Sequence, residues 1–96
     1  MQKYDYLIVG SGFFGATFAQ LMNSYGKKCL VIESNDHVGG LSATKRLENI
    51  DVHLYGPHIF HTSKQEVWDY VLKFAAFNNF INAPLAITGG HYADGL

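Results

Sequence analysis

Apolar and polar positions along this chain change their spacing several times, and each change marks an element. Tyr6, Leu7, Ile8 and Val9 form an unbroken apolar run within residues 4–9. A run without alternation predicts a parallel strand covered on both faces. From Phe13 the spacing becomes helical. Phe14, Phe18, Leu21, Met22 and Tyr25 follow i, i+4, i+7, i+8 and i+11, one stripe of an amphipathic helix. Gly26 stands where that helix should close, as a C′ glycine. A second apolar run, Cys29, Leu30, Val31 and Ile32, ends at Glu33. Strand, helix and strand across residues 4–33 make a βαβ unit, whose crossover is expected to be right-handed.

Beyond Glu33 the pattern weakens. Residues 34–50 read as irregular, and residues 52–55 as a short strand. Residues 56–62 have no clear period and, with Tyr55, read as a loop over residues 55–62. Ser63-Lys64-Gln65-Glu66 fits a capping box, in which the Ser hydroxyl accepts from an early N–H and Glu66 reaches back. Val67, Tyr70, Val71, Phe74 and Ala75 extend it to a second helix over residues 63–77. Residues 80–87 read as a strand that Pro84 confines to an edge or bulge, and Gly89-Gly90 as a turn. No internal repeat or low-complexity segment is present.

The chemistry sits where the first strand meets the first helix. Gly10-Ser11-Gly12-Phe13-Phe14-Gly15 is a G-x-G-x-x-G. Gly10 permits the tight turn, Gly12 lets a pyrophosphate approach the backbone, and Gly15 lets helix and strand pack closely. The helix N-terminus offers N–H groups and partial positive charge to the anion. Glu33, at the end of the second strand, stands where a carboxylate accepts hydrogen bonds from an adenosine ribose. Nicotinamide enzymes usually continue from that carboxylate into another helix. Here Ser34, Asn35, Asp36, His37 and Val38 lead to Gly39-Gly40, which resembles a large class of flavoproteins in which the glycines pass close to FAD. The plainer alternative for Gly39-Gly40 is a flexible turn. The expected fold class is thus α/β: the N-terminal βαβ part of a Rossmann-like FAD-binding domain, with an incomplete parallel sheet.

Composition narrows the field further. Ninety-six residues hold one small domain, and 48% apolar with 15% aromatic residues is globular composition. Seven basic and eight acidic side chains, with no basic run, give no reason to expect nucleic acid or a membrane as partner. The apolar runs are too short to span a bilayer or to serve as a secretory signal, so a cytoplasmic protein is expected. The lone Cys29, inside an apolar run, fits a reducing compartment. His58 and His61 are three residues apart, but Pro57 disfavours a helix there and no further ligand completes a site, so no metal is expected.

Residues 55–70 carry a more specific likeness. Tyr55-Gly56-Pro57-His58-Ile59-Phe60-His61-Thr62, followed by Val67-Trp68-Asp69-Tyr70-Val71, closely resembles the UDP-galactopyranose mutases. The opening residues 4–15, Val31-Ile32-Glu33 with Gly39-Gly40, and Asn82-Ala83-Pro84-Leu85-Ala86 resemble the same family. The resemblance implies FAD, with Phe14, Glu33 and Ser34 on its adenosine half and His58 and Ile59 against the flavin. It implies Asn82 near a pocket for a UDP-galactose-type sugar nucleotide. One departure is Leu41, where the family often has Asn; contact with FAD at that point would be through backbone. The resemblance implies that the reduced flavin acts as nucleophile in exchanging UDP-galactopyranose and UDP-galactofuranose, with no net oxidation.

A diphosphate needs Arg or Lys clamps, and the sole arginine, Arg46, has no phosphate context. The 96 residues alone are therefore expected to be inactive, an N-terminal FAD-binding portion without catalytic residues of its own. Two parallel strands with open edges make a half-covered core, which pairing with another copy or chain would stabilise. Two further readings remain: the start of another FAD-dependent oxidoreductase, and a non-catalytic fragment.

Overall fold

The computed structural model describes residues 2–94 and divides the chain into two compact units, Met1–His58 and Ile59–Leu96. In the first unit, β1 (Tyr6–Val9) pairs in parallel with β2 (Cys29–Ile32), joined through α1 (Phe13–Ser24). The register sets Tyr6 opposite Cys29 and Val9 opposite Ile32. The βαβ unit and the α/β class read from the sequence are thus present. The ends of β1 and β2 are tied again by Asp5, whose carboxylate accepts the Lys28 N–H at 2.8 Å.

The helix closes as its C-terminal glycine predicts. Gly26 has φ +79°, its N–H donates to the Asn23 carbonyl, and the Lys27 N–H donates to the Met22 carbonyl. These two bonds form a Schellman motif, which satisfies carbonyls that the helix leaves open.

Only one face of the two-stranded sheet is covered. The Tyr6 ring meets Phe18 edge-on at 5.2 Å, and Ile8 lies beneath Gly15, so Tyr6 and Ile8 face α1. Strand alternation then puts Leu7 and Val9 on the other face, where they are 62% and 78% exposed. This is the half-covered core expected of two parallel strands: consecutive apolar residues match cover on both faces, and the helix supplies one of them. The expected helix stripe is also narrower than its spacing suggested. Phe18 and Met22 are half-buried, whereas Phe14 and Tyr25 are exposed.

Residues 34–50, expected to be irregular, contain structure. A single 3-10 turn, Gly40–Ser42, precedes a hairpin of β3 (Thr44–Leu47) and β4 (Ile50–His53). β3 has little apolar alternation because it is exposed along its length. Its turn residues, Glu48 and Asn49, have φ +48° and +65°. Two positive values suit a tight hairpin, but Glu is not a residue from which such a turn is normally read. β4 begins two residues before the expected strand.

In the second unit, α2 spans Gln65–Val71, shorter than the expected 63–77. The capping box does not form. The Lys64 N–H donates to Thr62 Oγ1 at 3.1 Å, Lys64 becomes the N-cap, and no side chain caps the helix. After Val71 the bonding tightens, with the Lys73 N–H donating to the Tyr70 carbonyl. Asn78 Oδ1 then accepts the Phe80 N–H, a local bond that competes with helix. Phe60, Trp68 and Phe77 gather with ring centroids 5.1–5.9 Å apart. β5 (Leu85–Thr88) starts directly after Pro84 and pairs antiparallel with β6 (His91–Asp94), which the sequence reading missed, across Gly89-Gly90 at φ +56° and +79°. Among the described residues no helix is long and apolar enough to cross a membrane.

Candidate functional site

Among the described residues only Ser11, Gly15 and Ala43 are buried, and all three lie at or beside the glycine turn. Gly10 makes the turn with φ +100°, a backbone conformation that disfavours side chains. Gly15 answers a packing need: a Cβ there would collide with the Gly10 carbonyl oxygen and lie 3.1 Å from Ile8 Cγ2. Gly12 is different. The nearest atom to a Cβ at Gly12 would be Gly40 Cα at 4.0 Å, so packing of the chain alone does not demand glycine there. Gly12 is the N-cap of α1 in an extended conformation, no side chain caps the helix, and its first turn has no acidic residue. That end of the helix is therefore free to offer N–H groups to an anion.

Glu33 is fastened to this turn from the end of β2. Its Oε1 accepts the Ser11 N–H at 2.8 Å and the Ser11 hydroxyl at 2.6 Å. Its Oε2 accepts the Asn35 N–H at 3.0 Å and lies 3.5 Å from the Ser34 hydroxyl. The Ser11 hydroxyl first, then the Asn35 and Ser11 amides, lower the carboxyl from 4.5 to about 2. A carboxylate at Glu33 is thus held charged at neutral pH and fixed in place.

The Gly39-Gly40 segment is pinned to the same turn and does not behave as a loose connection. The Gly39 N–H donates to the Ser11 carbonyl at 3.0 Å, and Gly39 has φ +103°. Gly40 has φ +59°, and a Cβ on it would come within 3.0 Å of Gly12 Cα. The Ser42 hydroxyl closes the segment on the Gly39 carbonyl at 2.6 Å. Between these pieces lies a cleft of about 410 Å³. Its walls include Ser11, Gly12, Phe13, Val31, Val38 and Ser42.

The structure therefore brings together Gly10, Gly12, Gly15, Glu33, Ser34, Gly39 and Gly40. Phe14 is 88% exposed, and its neighbour Phe13 lines the cleft instead. Leu41, at the departure noted above, is exposed within the 3-10 turn. His58 lies in the loop after β4, where its N–H donates to His53 Nδ1 at 2.9 Å and the two rings stack. This bond places the His53 proton on Nε2. Ile59 and Asn82 are exposed residues of the second unit. Arg46 is occupied by Asp51 across the β3–β4 hairpin at 2.8 Å.

Ser11, Val38 and Ser42 were not singled out by sequence reasoning. For Ser11 a signal existed, a small hydroxyl between the first two glycines of the motif. For Val38 and Ser42 none did, because their place in the wall depends on how the Gly39-Gly40 segment folds back. Another unassigned residue, His37, meets the Tyr55 hydroxyl through Nε2 at 3.0 Å.

The model of the NAD(P)-binding Rossmann-like domain family matches residues 8–74. The chain is 45% identical over 76 residues to the dTDP-fucopyranose mutase of Escherichia coli, covering 77% of this chain and 20% of that protein. It is 38% identical over 92 residues to a probable UDP-galactopyranose mutase of Klebsiella pneumoniae, covering 94% of this chain and 24% of that protein. It is also 45% identical over 47 residues to the flavin-containing amine oxidase A of Sus scrofa, covering 49% of this chain and 9% of that protein. The chain thus spans a quarter or less of the length of these curated relatives.

Proposed function

Because this chain belongs to the NAD(P)-binding Rossmann-like domain family, we propose that its glycine turn holds FAD on behalf of a sugar-nucleotide pyranose mutase. The observation that carries the proposal is the joint fastening of Glu33 and Gly39 to Ser11, which brings a carboxylate acceptor and a glycine loop to the start of α1. Gly12 and the uncapped start of α1 receive the pyrophosphate. Glu33, aided by Ser34, receives the adenosine ribose, and the backbone of Gly39 and Gly40 passes beside the cofactor. The likeness to a flavin-containing oxidase and to two mutases favours FAD over a nicotinamide dinucleotide.

When bound and reduced, the flavin supplies the nucleophile for the exchange of pyranose and furanose rings. This chain's own part is to bind and orient it. Phe14 is assigned to the adenosine half, His58 and Ile59 to the flavin, and Asn82 to the sugar nucleotide, all from the resemblance. The substrate is UDP-galactopyranose on the likeness that covers most of the chain. dTDP-fucopyranose is the second reading, favoured by the higher identity to the mutase that bears that name. The half-buried free thiol of Cys29 suits a cytoplasmic setting.

Fluorescence titration tests the cofactor. The chain should bind FAD more tightly than NAD, and Glu33→Gln should weaken FAD by roughly ten- to hundred-fold, as loss of a charge-assisted hydrogen bond does. FMN, which lacks the adenosine ribose, should be indifferent to that change. An unaltered FAD affinity in Glu33→Gln removes the ribose assignment. Chromatography of UDP-galactose and dTDP-fucose isomers, after incubation with reduced protein of the relatives' length that contains this chain, separates the two substrates.

A further inference from the structure

We infer that Ser11 is the positioning residue of this site: it binds the end of β2 and the Gly39 segment at once, so that an incoming ribose meets Oε2 of Glu33. The inference rests on the FAD reading above. Ser11 is 8% exposed, and each of its polar groups has a partner in another segment. Its N–H and hydroxyl both donate to Glu33 Oε1, and its carbonyl accepts the Gly39 N–H.

A carboxylate oxygen accepts about two hydrogen bonds, so the pair from Ser11 fills Oε1. Oε2 holds one good bond, from the Asn35 N–H, and a contact of 3.5 Å from Ser34 that an arriving hydroxyl can replace. Alanine at Ser11 would keep the main-chain bonds and lose the shortest one. Glu33 would then be held by one main-chain N–H on each oxygen, and the ribose would meet a carboxylate less firmly directed.

Carboxyl-carbon NMR of the unliganded chain, combined with FAD and FMN titrations, tests this. Glu33 should titrate near 2 in the native chain, and Ser11→Ala should move it towards the usual carboxylate range. FAD affinity should fall about ten-fold in Ser11→Ala, with FMN unchanged. Ser11→Thr, which keeps the hydroxyl, should restore both readouts. If Ser11→Ala does not fold, Ser11→Cys keeps the volume, weakens the donor and is read in the same way. An unmoved Glu33 titration with unmoved FAD affinity in the alanine or cysteine variant overturns the inference. Native chain that binds FAD while Glu33 titrates in the ordinary range overturns it alone and leaves the proposed function standing. Native chain with a low Glu33 titration and no FAD affinity sinks the proposed function, and the ribose half of this inference with it.

Discussion

Around the glycine turn, the contacts are backbone against backbone, or the polar side chains of Ser11, Glu33 and Ser42 against backbone and, for Ser11 and Glu33, against each other. In residues 59–90, the prominent contacts are ring against ring. The difference is one of tolerance. A Cβ added at Gly15 has nowhere to go, because the Gly10 carbonyl oxygen and Ile8 already occupy its space. The Phe60, Trp68 and Phe77 rings meet at interplanar angles of 26–44°, and aromatic pairs are satisfied by a range of offset and tilted geometries. The first region is suited to holding a ligand in one place; the second is suited to filling space.

The largest expected effect separates two glycines within the first region. Gly15→Val should cost about 3 kcal/mol of stability, the upper range for forcing extra atoms into a packed contact. Gly12→Ala should change stability by less than about 0.5 kcal/mol, as a substitution without a named clash, while weakening FAD. Urea unfolding and FAD titration of both variants make the comparison, and equal costs in stability would erase the distinction between a packing glycine and a ligand glycine.

Trp68→Ala comes next. Loss of two ring pairs at about 0.5–1.5 kcal/mol each should lower stability by about 2 kcal/mol in urea, with Glu33 still titrating as in the native chain. A shifted Glu33 titration would mean that the aromatic cluster shapes the turn, contrary to the contrast drawn above.

Acid provides a gentler probe. Since Glu33 is lowered from 4.5 to about 2, folding favours its charged form. The contribution is fully present above 4.5 and is lost as pH falls through about 2. The gap in urea midpoint between the native chain and Glu33→Gln should therefore hold steady from neutrality to about 4.5 and close below it. A gap that ignores pH would place the loss in packing. The smallest effect belongs to Arg46→Ala. Its ion pair with Asp51 is about 60% exposed at both ends, and removing it should cost less than about 1 kcal/mol, less still in high salt.

What could be read from the sequence follows the same division. Gly10, Gly15, Gly26 and Glu33 announce themselves because their demands are local: a positive φ, a missing Cβ, or a carboxylate at a strand end. The β3–β4 hairpin did not, since Thr44, Lys45 and Arg46 bury nothing and Glu48 is an unusual turn residue. The capping box at Ser63 failed by one position, because the helix starts at Gln65 with Lys64 as its N-cap, which has no hydroxyl to accept an N–H. Ser11 was overlooked for another reason. Its importance comes from two partners distant in the chain, Glu33 and Gly39, which a small hydroxyl between two glycines does not by itself name.

The bond between Ser11 and Glu33 joins residues 22 apart, and the Gly39 bond closes a slightly longer loop around it. Loop-closure entropy grows only with the logarithm of length. Once β1 and β2 have paired, the second closure adds little to the first. The disorder of the Gly39 segment is thus surrendered during folding, before any ligand arrives. On the proposed reading, a dinucleotide that enters the cleft meets walls already assembled, and its binding free energy is spared the ordering of two loops.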